Sequence, residues 1–397
     1  MRQQDVQRRN FVRLIGGGAV AAMATVLPGC SADMPEAAVA AWRGPGDEPD
    51  LRRWALSYAI LAPSPHNRQP WLVDVREPNA ITLHVDRDRL LPETDPWFRQ
   101  IMVGQGTFVE ALVIALRERG VRPMVTLFPR GEFAPRGVDD RPVARIAWQP
   151  GAAPAAKDAL FAQLLRRHTA KVDYDTTRRV AEPMIAALKT ALSDADVACD
   201  GTVEPTRVAA MRALCMDAAR TELLTPRTVM ESIRLTRIGP AEIDRHRDGI
   251  SINAPLLRLV DAVGGFDRSV PPPAGSTGYQ QMMDRFEGHS RTAMGFVWLS
   301  TPTSRHAPAG TTRSAEVDAG RAYMRLQLKA TELGLQMHPM SQAPEEFAEM
   351  RPHYEKLHAL LVGRPAGEQT VQMFCRIGYC AGTAPAPRRG LDAIIRA

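Results

Sequence analysis

The sequence predicts an α+β fold in which helices cover a sheet. Short apolar runs that alternate every second residue, such as "WLVDV" and "ITLHV", predict strands. Longer runs with a helical period, above all residues 316–333, predict helices with one apolar stripe. The two kinds of segment mix along the chain without a strict β-α-β alternation, which favours α+β over a doubly wound parallel sheet.

Composition and charge argue against a nucleic-acid-binding protein and against a membrane-spanning segment after residue 30. The chain has 397 residues, of which 45% are hydrophobic and 24% charged, so it is long enough for one large domain or two modest ones. The formal net charge of +6 is small for this length, and the arginines are scattered. Nucleic-acid binding is therefore not predicted. After residue 30, no segment is apolar for long enough to cross a bilayer.

The first 30 residues resemble an export signal. In "QRRNFVRLIGGGAVAAMATVLPGC", the pair Arg8 and Arg9 precedes Phe11 and a weakly apolar run that closes at Cys30. This pattern predicts export by the twin-arginine route to the periplasm or the outer face of the membrane. "LPGC" resembles a lipoprotein cleavage box. Cys30 is therefore a candidate site for a lipid that would tether the protein to the membrane. The alternative is an uncleaved anchor, but the run is shorter than the about 20 residues needed to span a bilayer.

Residues 31–50 are predicted to form a tether, and the first half of the fold is predicted to follow over 51–150. A helix over 51–62 is broken by Pro63. "WLVDV" and "ITLHV" form a hairpin around a Pro-Asn turn, a helix then ends at Gly120, and "MVTLF" and "VARIAW" add strands. The Gly-Ala-Pro stretch at 151–156 is the clearest internal boundary.

The second half is predicted to occupy 151–397. It opens with a helix through Leu165, and two more helices lie near 182–193 and 206–223. Residues 224–292 are rich in proline, glycine and methionine and are predicted to be an irregular segment that covers a site. The strand "GFVWLS", the helix over 316–333 and the strand "TVQMFCRIGYC" complete the half.

Four segments carry polar groups suited to a cofactor. "RHTAK" places Arg167, Thr169 and Lys171 side by side, which suits a phosphate or an electron-rich ring, and Arg388 with Arg389 could close on the same phosphate. The alternative for both groups is a solvated basic edge. "GLQMHPMSQ" leaves a helix through a glycine, so its backbone N–H groups could point into a pocket. "APSPHNRQPW" offers no nucleophile with a partner base.

These four segments resemble motifs of the FMN-dependent nitroreductase family. "RHTAKVDYD" is similar to that family's phosphate-binding opening, and "APSPHNRQPW" resembles its Pro-Ser-Ser-x-Asn-x-Gln-Pro-Trp segment. "GLQMHPM" resembles the loop whose amides face flavin N5, and "RRG" resembles the C-terminal basic phosphate contact. The resemblance implies a mixed, mainly antiparallel sheet flanked by helices.

The order of the motifs differs from that of an ordinary member of the family. There the phosphate motif precedes the Pro-Ser-Asn motif, which reaches across a dimer to the partner's flavin. Here the Pro-Ser-Asn motif lies in the first half and the phosphate motif opens the second. The order resembles that of the Acg-like branch, and it implies two pseudo-symmetric halves that form an internal dimer with one flavin site. Such a chain is expected to be a monomer.

Twelve residues are implied to bind FMN. The first half would supply Pro63, Ser64 and Asn67, and Gln69, Pro70 and Trp71 would lock the turn. The second half would supply the remaining contacts, to the phosphate, the ribityl chain and the ring: Arg167, His168, Thr169, Lys171, His338, Pro339, Met340, Arg388 and Arg389. His168 could instead be a packed histidine at a helix end.

The implied function is an FMN-binding oxidoreductase of nitroreductase type. It would reduce a flat small-molecule acceptor, such as a nitroaromatic or quinone, through flavin N5, with electrons from an unidentified donor. No catalytic side chain and no metal is predicted. An alternative is a non-catalytic, exported protein that holds a covered flavin as a redox buffer. A third is a surface lipoprotein whose fold has lost its cofactor.

Overall fold

A computed structural model describes residues 33–192, 196–262, 264, 267–303, 311–362 and 368–396. The export signal and Cys30 fall outside these ranges. In the described part of the chain, no helix combines the length and the apolar character needed to span a membrane.

The first half contains a four-stranded antiparallel sheet in the order β1-β2-β4-β3. Its strands are β1 (Trp71–Asp74), β2 (Ala80–Val85), β3 (Met124–Leu127) and β4 (Ala144–Ala147), and its helices are α1 (Glu36–Val39), α2 (Leu51–Ala59) and α3 (Arg99–Glu118). β1 pairs with β2 from Trp71 opposite Val85 onward, which confirms the predicted hairpin. Alternate residues of β1 are buried, as expected for a strand that covers a core on one face.

The second half contains a four-stranded antiparallel sheet in the order β5-β8-β10-β9 and a separate parallel pair, β6-β7. The strands are β5 (Ala198–Thr202), β6 (Thr236–Ile238), β7 (Ile250–Ile252), β8 (Gly295–Pro302), β9 (Gln336–Pro339) and β10 (Gln369–Gly378). The helices are α4 (Pro183–Lys189), α5 (Pro205–Leu224), α6 (Pro226–Arg234), α7 (Gly239–His246), α8 (Pro255–Ala262), α9 (Thr277–Arg291), α10 (Arg313–Glu332) and α11 (Arg351–Val362).

The two halves repeat one arrangement. The first half runs α2-β1-β2-α3-β3-β4, and the second half runs α4-β5-β8-α10-β9-β10 when the elements between β5 and β8, and α11 between β9 and β10, are left aside. The two sheet orders also match position by position, because β1, β2, β4 and β3 correspond to β5, β8, β10 and β9. The fold is therefore α+β with two pseudo-symmetric halves, as predicted.

The long helices α3 and α10 cross in backbone contact. A Cβ atom at Gly106 would overlap the Val317 carbonyl oxygen, and one at Gly320 would overlap the Val103 carbonyl oxygen. The two glycines occupy the same position counted from the start of each helix, and each helix has 20 residues. The contact is thus reciprocal, as in the two-fold interface of a homodimer.

Both long helices begin with an arginine that reaches into the opposite half. Arg99 donates to the backbone oxygens of Gln372 and Pro344, each at 2.7 Å, and pairs with Glu346. Arg313 donates to the backbone oxygens of first-half residues, among them Trp97 at 2.9 Å. Both guanidiniums are buried, so these bonds tie the halves together in a low-dielectric interface.

The segment predicted to be irregular, 224–292, is largely regular. It belongs to an insertion, residues 203–294, that stands where the first half has only the short turn between β1 and β2. Its described residues include helices α5 to α9 and the pair β6-β7. Sequence reasoning misassigned it because its prolines were taken as breaks. Pro205, Pro226 and Pro255 instead stand at helix starts, where proline is tolerated.

The insertion packs on the first half, which supports its predicted role as a cover. Asp248 accepts hydrogen bonds from Arg68 at 2.7 Å and from Arg89 at 2.8 Å, both residues of the first half. Arg237 of the insertion completes this ion cluster at 2.9 Å. The carboxylate therefore fixes the insertion beside the "APSPHNRQPW" stretch.

A second correction concerns the start of the second half. The predicted helix through Leu165 is a single 3₁₀ turn over Ala159–Gln163, capped by Asp158. The chain from 167 to 182 contains no helix or strand. "RHTAK" therefore lies on irregular chain rather than at the end of a helix.

Candidate functional site

The "APSPHNRQPW" stretch forms a loop with an unusual backbone. His66, Asn67 and Gln69 have φ values of 45°, 51° and 51°, in the left-handed region that residues other than glycine rarely adopt. The Ser64 hydroxyl oxygen accepts the Gln69 N–H at 2.9 Å and closes the turn. Backbone strain of this kind persists only where the surroundings impose it, and it concentrates at functional sites.

Gln69 and Trp71 hold this loop in place, as predicted. The Gln69 side-chain amide donates to the Arg247 carbonyl oxygen of the insertion at 2.8 Å and accepts the Arg389 N–H at 2.8 Å. The buried Trp71 indole donates to the Gly104 carbonyl oxygen of α3 at 3.3 Å. The loop is thus bonded to three separate parts of the chain.

Arg388 connects this loop to the end of the chain. Its guanidinium donates to the Asn67 side-chain oxygen at 2.9 Å and to the Leu61 carbonyl oxygen at 3.0 Å. The Asn67 amide in turn donates to the Pro387 carbonyl oxygen at 3.0 Å. Arg388 lies beside this loop because the last described residues pack against the first sheet. There the Arg396 N–H donates to the Val73 carbonyl oxygen at 2.8 Å.

Arg167 meets Arg388 at the same carbonyl group. Its guanidinium donates to Leu61 O at 2.9 Å and to the Thr169 hydroxyl and the Gln327 side-chain oxygen, each at 3.4 Å. The structure thus brings Asn67 of the first half together with Arg167, Thr169 and Arg388 of the second. These four residues come from three separate segments of the sequence, and the resemblance predicted their proximity.

The two arginines are buried without a counter-charge. Arg167 is 1% exposed and Arg388 is 4% exposed, and neither forms an ion pair with any residue in the described ranges. The Nε atom of each is buried and lacks a hydrogen-bond partner. Burial lowers the pKa of Arg167 to about 10, and burial followed by the Arg167 charge lowers the pKa of Arg388 well below its usual value. Buried unpaired charges are costly, so this arrangement is that of an anion-binding site.

Trp42 lies over this pair of cations. The guanidinium carbon of Arg388 is 4.9 Å from the centre of the indole ring, and that of Arg167 is 5.7 Å away. The His168 ring packs edge-on against Trp42 at 5.1 Å. Trp42, which lies in the segment 31–50 that was predicted to be a tether, therefore packs against two of the predicted cofactor-binding arginines and against His168.

Arg376 organises the opposite end of the site. This fully buried side chain donates to the Val172 carbonyl oxygen at 2.7 Å, to the His289 carbonyl oxygen at 2.9 Å and to His338 Nδ1 at 3.0 Å. Because a guanidinium can only donate, His338 Nδ1 accepts, and the ring proton of neutral His338 resides on Nε2. Arg376 therefore fixes both the Lys171 segment and the His338 tautomer.

Three imidazoles near Lys171 are neutral. Burial, followed by the charge of Lys171, lowers the pKa of His66 to about 3. Burial and then Arg376 lower the pKa of His289 to about 3 and that of His338 well below its usual value. Lys171 itself keeps some exposed surface, yet burial and then Arg285 lower its pKa to about 8. The site is thus strongly positive, and the imidazoles contribute hydrogen bonds without charge.

Several predicted contacts have other roles in the structure. "GLQMHPM" is not an open turn but contains β9, and the Met340 N–H donates to Phe374 O at 2.8 Å. Pro339 has no N–H, so neither residue offers a free amide as predicted. The Arg389 side chain pairs with Asp86 at 3.0 Å and is directed away from the pair of cations. Pro63 is part of the loop, where its carbonyl oxygen accepts the Thr107 hydroxyl at 2.7 Å.

Sequence reasoning missed Trp42, His289 and Arg376. Arg376 lies within the apolar strand "MFCRIGYC", and a lone arginine in a buried strand is a signal that could have identified it. Trp42 and His289 carry no such signal, because each reaches the site only through the packing of a remote segment.

Comparison with known proteins supports the predicted relationship. "Putative NAD(P)H nitroreductase acg" of Mycobacterium tuberculosis is 34% identical over 80 residues, which cover 20% of this chain and 24% of the relative. "Putative NAD(P)H nitroreductase Rv3131" of the same organism is 34% identical over 122 residues, which cover 31% of this chain and 33% of the relative. The chain thus spans about a quarter to a third of the curated relatives that it matches.

Two solved structures show partial similarity. The FMN-dependent nitroreductase NfnB of Mycobacterium smegmatis, solved with NADPH, is 18% identical with a TM-score of 0.36, over 60% of this chain and 97% of that chain. A putative nitroreductase of Anabaena variabilis is 10% identical with a TM-score of 0.44, over 87% of this chain and 91% of that chain. No protein-family model matches the sequence. The curated relatives support the nitroreductase superfamily for this chain.

Proposed function

We propose that the protein is an FMN-binding oxidoreductase of nitroreductase type. The observation that supports this most directly is the pair Arg167 and Arg388, two buried guanidiniums that converge on one carbonyl group without a carboxylate partner. The phosphate of FMN would supply the missing negative charge. The unpartnered Nε atoms and the Thr169 hydroxyl are donors of the kind that a phosphate accepts from.

The cofactor site would be shared between the halves. Asn67 belongs to the first half, and its side-chain oxygen holds Arg388 in position. Trp42 would cover the cations on one side, and the insertion would exclude water on the other. The corresponding loop between α4 and β5 carries no Pro-Ser-Asn motif, so we propose a single site in each chain.

FMN, when bound, supplies the electron transfer through its N5 atom. The residues of this chain would bind and orient the ring. His338 would donate through Nε2–H, because Arg376 occupies its Nδ1. Lys171 would place a positive charge beside the ring, which favours the anionic, reduced form. None of these roles requires a side chain that exchanges a proton with the substrate.

The proposed acceptor is a flat small molecule such as a nitroaromatic or a quinone. The curated relatives carry the name NAD(P)H nitroreductase, which makes a nicotinamide one candidate donor. If the protein is exported, a quinol or a redox partner is the other candidate, because an exported protein meets little NAD(P)H.

A second function is favoured by the insertion. Asp248 and Arg247 tie the insertion directly to the loop that carries Asn67, so the insertion closes over one side of the site. A flavin held beneath it would be shielded from large reactants. The protein would then hold flavin or buffer redox equivalents without steady turnover.

Purified protein tests both functions. The proposal expects a yellow protein that releases FMN on denaturation, whereas a colourless protein that cannot take up FMN contradicts both functions. Bleaching with NADPH, followed by fast recovery with a nitroaromatic or a quinone, identifies the enzyme. If both NADPH and dithionite reduce the flavin only slowly, as followed by the loss of its yellow colour, the protein holds flavin without steady turnover.

We also propose that the protein is exported by the twin-arginine route and tethered through Cys30. Replacing both Arg8 and Arg9 with lysine should keep the protein in the cytoplasm, and Cys30→Ser should release it from the membrane fraction. Gel filtration of the mature protein should give the mass of one chain, because the reciprocal α3-α10 contact already occupies the usual dimer interface.

A further inference from the structure

The insertion places one arginine at the Lys171 end of the site. Arg285 lies on α9, four residues before His289, so the two side chains share one face of the helix. The His289 ring packs edge-on against the His338 ring at 4.9 Å and hydrogen-bonds with the backbone of Lys171. Arg285 is thus held one helical turn from the residues that line the site.

Close packing fixes the position of α9. Gly288 lies against Asp173, where an added Cβ atom would come within 3.1 Å of the carboxyl carbon. Arg376 bonds to the carbonyl oxygens of both His289 and Val172. The end of α9 and the chain segment around Lys171 therefore form one rigid unit.

Arg285 and Lys171 are cations without partners. In the described part of the chain, neither the Arg285 guanidinium nor the Lys171 ammonium group donates a hydrogen bond or forms an ion pair. The neighbouring carboxylates are engaged, since Asp173 pairs with Arg291 at 3.5 Å and Asp284 accepts from Gln280 at 2.7 Å. Both residues are exposed, so an anion in solution can reach them.

The positive charge comes from two groups of residues. Arg167 and Arg388 form one group, in which both donate to the Leu61 carbonyl oxygen. Arg285 and Lys171 form the other group. The positive charge of Arg285 is one of the causes that lower the pKa values of Lys171 and His338. One phosphate at the first group leaves the second group without a counter-charge.

We propose that Arg285, together with Lys171, binds an anionic group on the second reactant, so that the site selects flat acceptors that carry a carboxylate, sulfonate or phosphate. This inference rests on the proposed function, because it names the substrate class of the same site. Arg285 is exposed at the rim and lies on the insertion, so a reactant would meet it on entry. A guanidinium donates two parallel hydrogen bonds to a carboxylate in a planar arrangement that an ammonium group does not offer.

The test compares two probes of one shape. Calorimetric titration of the full chain with benzoate and with benzamide measures binding of the charged and the neutral form. Benzoate should bind at least about tenfold more tightly than benzamide, the ratio expected for one charge-assisted hydrogen bond. Arg285→Gln should lower that ratio, because only Lys171 then remains to bind the anion, and should leave benzamide binding within about twofold. Arg285→Lys should retain part of it.

Arg291→Gln is the matched control. It removes the same charge from the same helix, but Arg291 is exposed and paired with Asp173, so the benzoate preference should persist. Equal binding of benzoate and benzamide by the wild type overturns the inference. A preference that is unchanged in Arg285→Gln overturns it as well. If Arg285→Gln loses FMN but keeps the full preference for benzoate, Arg285 binds the phosphate of FMN instead. That result also overturns the inference.

The outcomes separate this inference from the proposed function. Protein that binds FMN but shows no benzoate preference retains the proposed function and contradicts the inference. If the protein does not bind FMN but prefers benzoate over benzamide, and this preference depends on Arg285, the proposed function is contradicted and the anion site is supported. The calorimetric signal does not require turnover, so it is available in either case.

Discussion

The crossing of α3 and α10 gives a sharp prediction for Gly320→Ala. The added methyl group would overlap the Val103 carbonyl oxygen and lie within 2.9 Å of Gly106 Cα. Both obstacles belong to the backbone of the other helix and cannot rotate away. Overpacking a core typically costs about 1–3 kcal/mol, so we expect a loss of about 3 kcal/mol or more in the free energy of unfolding. Urea unfolding followed by tryptophan fluorescence measures this loss.

Gly104→Ala is the matched control on α3. There an added Cβ atom would make ordinary contacts, 3.4 Å from Pro65 Cδ and 3.7 Å from Ser64 Cβ. Alanine is favoured over glycine within a helix by about 0.8–1.0 kcal/mol, so this variant should be as stable as the wild type or slightly more stable. Equal unfolding midpoints for Gly320→Ala and the wild type would refute the reciprocal packing of the two halves.

Three further predictions concern the site and the fold. Arg388→Gln should weaken FMN binding by roughly 10- to 150-fold, because it removes a charge-assisted hydrogen bond worth about 1.5–3 kcal/mol, whereas Arg389→Gln should lower stability and leave the FMN dissociation constant unchanged. Asn67→Ala should also weaken FMN binding by about tenfold, since Arg388 loses an acceptor and alanine tolerates φ 51° poorly; unchanged affinity would exclude a site shared between the halves. Burial raises the pKa of Glu222 from 4.5 to about 7, so the folded chain keeps this proton while the unfolded chain loses it, and stability falls as the pH rises across that window. Glu222→Gln should reduce this slope in unfolding experiments between about pH 5 and pH 8, and a slope identical to that of the wild type would contradict the assignment.

Local patterns sufficed to predict most of the regular elements. The β1-β2 hairpin, α3 with its stop at Gly120, and α10 with its stop at Gly334 follow from alternation, helical period and the left-handed glycines after the helices. The insertion was misjudged, because a proline at a helix start and a proline that breaks a helix look alike in a single sequence. The pairing of β9 with β10 depends on contacts between remote segments, which local patterns do not encode.

Only those residues of the site that belong to a recognisable sequence motif could be predicted. The resemblance placed Asn67, Arg167 and Arg388 together, and the structure confirms their proximity. It also suggested Met340 and Arg389, but their polar groups are bonded to the Phe374 carbonyl oxygen and to Asp86. The order of the motifs predicted two equivalent halves, but it did not predict which strand and helix of one half correspond to which of the other, because these elements share few side chains.

The number of FMN molecules per chain tests the central claim most directly. The protein is saturated with FMN, freed of excess cofactor by gel filtration and denatured, and the released flavin is quantified by its visible absorbance. A single site between Asn67 of the first half and Arg167 of the second predicts one FMN per chain. Release of no FMN would contradict the flavin site, and release of two would contradict a site that the two halves share.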